Sequence, residues 1–246
     1  MTASRSFDHL PRAPITEAVL DVRVRARPDI AASDFAAVHG LISLDYPKSE
    51  TRRQVTAHIS FGEQPSGSSS SSLNGFFFRS ADGLDVVQFR IDGFSINRLR
   101  PYQGWEAWFP RFERLWPIYL DVAQPLAVTR VAARCINQIP GGESGTLEDI
   151  FTASIGLPDG IPTNLKTFRN TVTVSDDGDP PKSLNIGQAM QLAPDGRTIQ
   201  FLLDIDAFTV GEFEPSSVVE LFGPLHELRN TAFFQSLTTK VLEGFR

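Results

Sequence analysis

One cysteine, Cys135, and two methionines are all the sulfur in this 246-residue chain. A lone cysteine excludes an internal disulfide. The four histidines, His9, His39, His58 and His226, show neither H-x-E nor H-E-x-x-H spacing, so the sequence offers no zinc site. No G-x-S-x-G, Walker A or G-x-G-x-x-G stretch occurs, so no catalytic residue is assigned and no cofactor is expected. No apolar run approaches the roughly 20 residues of a membrane span, and the opening MTASRSFDHLPRAP has no apolar signal core. The expectation is a cytoplasmic protein without a membrane partner. A formal charge of −6 argues against nucleic acid as a partner. Homodimerisation is left open.

The chain is rich in phenylalanine, with 19 residues, and 41% hydrophobic overall. A compact fold of this length buries roughly 75% of its unfolded surface, so core size is not limiting. The stretch 93–138 organises the rest. Within it Trp105, Trp108, Phe109, Phe112, Leu115, Trp116, Tyr119 and Leu120 recur every three or four residues, one apolar stripe of a helix. Such a stripe must be buried. Pro110 and Pro117 each remove a backbone donor, which predicts a late start, a kink near Pro117, or both.

Residues 14–27 alternate, with Ala18, Leu20, Val22 and Val24 to one side and Glu17, Asp21, Arg23 and Arg25 to the other: a half-buried strand. Ser33 reads as the N-cap of a helix to Leu44, with Phe35, Val38, Leu41 and Ile42 inward. Residues 51–61 read as a strand with Val55, Ala57, Ile59 and Phe61 facing in. The serine run from Ser66 to Ser72 reads as a mobile hairpin loop. Asp82-Gly83 and Asp92-Gly93 mark turns between strands 75–80, 84–91 and 93–99.

Further strands are expected at 126–139, 167–175, 183–192 and 197–206, the last pair joined at Pro194-Asp195-Gly196. A short helix is expected near 146–153. A C-terminal helix runs from Pro215 to Phe245, interrupted at Asn230-Thr231. Two halves, 1–124 and 125–246, therefore share nearly one order of elements, β-α-β4-α and β-α-β3-α, within one continuous unit. The fold class is α+β, an antiparallel sheet with helices on one face. The order resembles the duplicated arrangement of TATA-binding-protein-like folds; the alternative is a helix-grip fold, a curved sheet around a long C-terminal helix.

The segments PITEAVLDVRV, VVQFRIDGFSINRLRPYQGWEAW, VTRVAARCINQI, LLDIDAF and FFQSLTTKVLEGF, in that order across nearly the whole chain, resemble a sporadically distributed bacterial family of uncharacterised proteins of about this length. The resemblance implies a soluble, single-unit bacterial protein and supplies no catalytic residues. Cys135 departs from the aromatic or bulky residue expected there.

Alternation places Arg23, Arg25, Arg52, His58, Gln88, Arg90, Arg130 and Arg134 opposite their strands' core residues. If the strands are neighbours, these guanidiniums line one face able to grip a phosphate or carboxylate. Glu17 and Asp21 would neutralise part of it. Arg98, Arg100, Tyr102 and Trp105 cluster at the mouth of the tryptophan helix, as a clamp for a planar ligand or as internal packing. Asp204 and Asp206 share a strand face and read as an exposed edge pair rather than a metal site. Cys135 reads as a small buried hydrophobe. The function expected is a non-catalytic binding or protein-interaction module whose partner is a protein or small anionic ligand. The alternatives are a small-molecule cup of helix-grip type and an enzyme of unrecognised class.

Overall fold

The first strand, β1 (Ile15–Arg25), keeps its alternation: Ala18, Leu20, Val22 and Val24 are buried, while Val19, Asp21 and Arg23 between them are half-exposed. That two-sidedness extends to the whole molecule, which a computed structural model gives as an α+β fold on one nine-stranded antiparallel sheet. The structure describes residues 7, 10–60, 66–141, 146–154, 156, 158–160, 165–192 and 198–246, with backbone alone at 57–60, 66, 68 and 192. The turn expected at Pro194-Asp195-Gly196, and Phe61 of the expected strand 51–61, lie outside them.

The remaining strands are β2 (Lys48–Ser60), β3 (Ser66–Arg79), β4 (Asp85–Arg90), β5 (Gly93–Leu99), β6 (Ala127–Pro140), β7 (Phe168–Ser175), β8 (Lys182–Leu192) and β9 (Ile199–Phe213). Their order across the sheet is β2-β3-β4-β5-β1-β6-β9-β8-β7. The pair β1/β6 is central, with Leu20 opposite Ala133 and Arg23 opposite Arg130.

Residues Val38–Ile42 form α1, Trp105–Ala123 α2, Leu147–Ile150 α3, Val218–Ser236 α4 and Thr239–Glu243 α5. In α2 the stripe is buried at Trp108, Phe112, Leu115, Trp116 and Tyr119, whereas Trp105 and Phe109 are only partly covered. Phe94 of β5 lies 5.6 Å from Phe112, 5.9 Å from Trp116 and 5.5 Å from Tyr119, centroid to centroid, which locks α2 to the sheet. Each such pair adds about 1 kcal/mol beyond area burial. The helix starts at Trp105 and runs through both prolines. Pro110, Pro117, Glu106 and Glu113 are all exposed, so the carbonyls of Glu106 and Glu113, which the prolines leave without donors, sit on the water side.

Several expectations are corrected. A 3₁₀ turn (Ala32–Ala37) precedes α1, and its N-cap is Ala31, not Ser33, because Asp34 accepts the Ala31 N–H at 3.0 Å. Leu41 is 70% exposed, since so short a helix buries only Val38 and Ile42. The serine run is not a loop: Ser66–Ser72 pairs residue by residue with β2, and Arg53 Nε donates to Ser71 Oγ at 3.0 Å. A ladder needs backbone partners rather than packed side chains, and beyond the helices this hairpin leaves Val55 67% exposed. α4 passes through Asn230-Thr231, whose side chains bond one turn back, Thr231 Oγ1 donating to Glu227 O and Asn230 Nδ2 to His226 Nε2, a pattern compatible with a continuing helix. The break falls at Leu237, after which Thr238 caps α5. Among the described residues no helix is long and apolar enough to cross a membrane.

Candidate functional site

The face of the sheet away from the helices collects most of the cations singled out by alternation, together with carboxylates that alternation alone does not show. Arg134 of β6 forms a two-pronged pair with Asp204 of β9, Nε to Oδ1 at 2.7 Å and Nη2 to Oδ2 at 2.5 Å. Arg130 donates to Asp206 at 2.7 Å while its guanidinium carbon stands 4.5 Å over the Phe208 ring. Arg25 pairs with Glu212. Asp204 and Asp206 are therefore the counter-ions of β6, and β9 lies between β6 and β8 rather than at an edge. Burial pushes the Asp206 carboxyl above its ordinary range against the opposing pull of Arg130 and Arg134.

The arrangement differs where β1, β2 and β4 contribute together. Arg90 is 3% exposed and donates from Nη2 to Asp21 Oδ2 at 2.8 Å. Arg23 bridges Asp21 at 3.0 Å and Asp92 at 2.9 Å. Arg90 Nε lies 3.6 Å from Asp92 Oδ1, too far for a hydrogen bond, and is buried without an acceptor. Arg52 stands beside them and, among the described residues, has no carboxylate within 4.0 Å; its Nη1 is also buried without an acceptor. Burial first, then the neighbouring Arg90, lowers the Arg52 pKa. Three guanidiniums, Arg23, Arg52 and Arg90, thus face two carboxylates, Asp21 and Asp92. The cluster carries one excess positive charge.

Two glycines make room for it. A Cβ on Gly93 would lie 2.2 Å from Val22 O and 2.9 Å from Arg90 Nη2, and one on Gly75 would lie 2.0 Å from Phe89 O. Arg90 consequently lies low on the sheet with no side chain on its immediate cross-strand partners, Gly75 and Gly93. Asn74 reaches Gln54 Oε1 at 3.3 Å and Asp92 Oδ1 at 3.5 Å, closing one side.

Arg98 does not belong to this face. It lies on the helix side, donating to Asp85 at 2.9 Å and from Nε to Pro101 O at 3.2 Å, and Arg111 of α2 completes the pair with Asp85. Its strand position matches the core residues Phe94 and Ile96, so alternation itself assigns it there. The cluster expected around it divides: Tyr102 packs edge-on to Trp108 at 6.0 Å, and the cation over Trp105 is Arg229. His58 is in β2 opposite Ser68, with only its backbone described. Cys135 is buried and its thiol is pushed up by burial. The sequence reading missed Asp92, whose signal was its place in the Asp-Gly turn beside Arg90, and Asn74, for which no signal was present. Among the described residues no group of three or more His, Cys, Asp or Glu side chains could hold a metal ion.

No model of a known protein family matches the chain, and no curated protein matches it.

Proposed function

We propose that this protein is a non-catalytic binding module that receives an anionic group of its partner, a carboxylate or phosphate, on the open sheet face at Arg23, Arg52 and Arg90. One observation carries this reading: among the described residues the Arg52 guanidinium, half-buried beside Arg90, has no counter-ion and holds a buried donor without an acceptor. Such donors cost about 1–3 kcal/mol each until satisfied, so an arriving oxyanion gains what the fold leaves unmade. Elsewhere on the face the described pairs of Arg25, Arg130 and Arg134 are already closed by carboxylates.

For the architecture we infer two halves, β-α-β4-α over 1–124 and β-α-β3-α over 125–246, arranged as in TATA-binding-protein-like folds. Support comes from the strand order, which reads β1, β5, β4, β3, β2 outward from the centre on one side and β6, β9, β8, β7 on the other. α2 and α4 occupy matching places at the ends of the halves. The helix-grip reading expects a sheet wrapped around the C-terminal helix alone, whereas here α2 shares that duty.

The test is calorimetric titration with inorganic phosphate. The expectation is one saturable site, weakened about tenfold by Arg52→Gln, the loss of one charge-assisted hydrogen bond. Arg52 has no described ion pair to lose, so the variant should melt as the parent does. Absence of saturable binding, or equal binding by the variant, rejects the proposal.

A further inference from the structure

On the helix side of the sheet, between α4, the start of α2 and β1, lies a cavity of about 210 Å³, lined among others by Tyr102, Trp105, Cys135, Arg229, Phe233 and Phe234. Arg229 is 2% exposed. Its Nη2 donates to Asn230 Oδ1 at 3.2 Å, its Nη1 is buried without an acceptor, and among the described residues no carboxylate lies within 4.0 Å of it. An unpaired buried guanidinium costs several kcal/mol, and the surroundings do little to offset that. The Trp105 ring lies 5.8 Å from the guanidinium carbon and supplies a quadrupole, not a counter-charge. His226 stacks on Trp105 at 4.0 Å and accepts from Asn230 Nδ2 at 3.1 Å, so its Nε2 is unprotonated and the ring is neutral. Glu106 lines the cavity from an exposed position. The Tyr102 hydroxyl lies beside Arg229, near enough for the guanidinium to pull its pKa down against the larger upward push of burial, but makes no hydrogen bond of good geometry.

At one end the cavity thus holds a guanidinium and a hydroxyl without well-placed partners among the described residues, and its other walls combine Trp105, Phe233 and Phe234 with the polar Glu106, His226 and Asn230, the composition of a small-molecule site with a fixed orientation. We propose that it binds a small monocarboxylate with a single aromatic ring or short apolar body, the carboxylate on Arg229 and Tyr102 and the body against Trp105, Phe233 and Phe234. An apolar cavity of about 150 Å³ accepts benzene, so this one has room for one ring and its carboxylate. The site is separate from the arginines of the open face, which lie across the sheet.

The experiment is a titration of the whole chain with benzoate and phenylacetate, and with benzamide and phenylacetamide as uncharged counterparts, read by tryptophan fluorescence and melting temperature. An acid is expected to bind saturably with a Kd of about 1 mM or tighter and to raise the melting temperature. Its amide should bind at least about tenfold more weakly, and Arg229→Gln should abolish that preference. Should Arg229→Gln fail to fold, Tyr102→Phe keeps the wall shape and should cost the acid several-fold and the amide nothing. No saturable binding by either acid overturns the proposal. So does equal binding of acid and amide, or displacement of the acid by equimolar chloride, which would mean an anion site without selection for the ring.

Discussion

Tyr119, buried in the middle of α2, donates its hydroxyl proton to the carbonyl oxygen of Arg90 at 3.1 Å. The helix layer thereby holds the backbone of the residue whose guanidinium emerges on the opposite face of the sheet. Burial raises the hydroxyl's pKa well above the usual tyrosine range, so it stays a donor throughout the physiological range. Tyr119→Phe should lower unfolding free energy by about 1 kcal/mol in a denaturant melt with an unchanged slope. An unaltered midpoint would mean that α2 does not hold β4 through this bond.

Asp21 and Asp204 both serve arginines, in different surroundings. The Arg90–Asp21 pair is nearly closed to water, with side chains 4% and 15% exposed. Arg134–Asp204 is 43% and 36% exposed. Asp21→Asn leaves Arg90 buried and under-paired and should cost about 3 kcal/mol or more. Asp204→Asn, screened by solvent, should cost less than about 1 kcal/mol. Equal losses would contradict the placement of Arg90 at the bottom of the cluster.

Gly93 is required by close approach. Gly93→Ala sets a methyl carbon 2.2 Å from Val22 O, so β5 must move away from β1. A loss of about 3 kcal/mol is expected, with weakened phosphate binding because the same methyl crowds Arg90. Wild-type stability and binding together would show that the strands are farther apart.

His226 gives the pH dependence. Burial, then the charge of Arg229, pulls its pKa from 6.5 down to about 3. Between those values the unfolded chain takes up a proton that the folded chain refuses. Stability is therefore kept above pH 6.5 and falls as pH drops toward 3, by at most about 1.4 kcal/mol per pH unit from this group. His226→Phe, which preserves the stack on Trp105, should flatten that part of the profile. Parallel profiles for parent and variant would show His226 is open to water.

Much of the fold was legible because alternation and the tryptophan stripe report burial directly: β1, β4, β5, β6 and α2 lie where their patterns place them. The polar face was legible residue by residue but not in charge. Asp204 and Asp206 stand some 70 positions from Arg134 and Arg130 in the chain, and only strand order makes them partners. Ser66–Ser72 misled because serine carries no burial signal, while its backbone can still complete a ladder. Arg229 was invisible for a related reason. On α4 it sits among apolar residues as any helix cation would, and its burial depends on Trp105 and Tyr102, more than 120 positions away.

The most direct test of the anionic-partner reading is NMR observation of the arginine Nε–H signals during a phosphate titration at constant ionic strength. The account predicts that Arg52 and Arg90 shift together and saturate with one affinity, while Arg134, closed by Asp204, stays in place. A uniform drift of all arginines, or movement of Arg134 without Arg52, would contradict it.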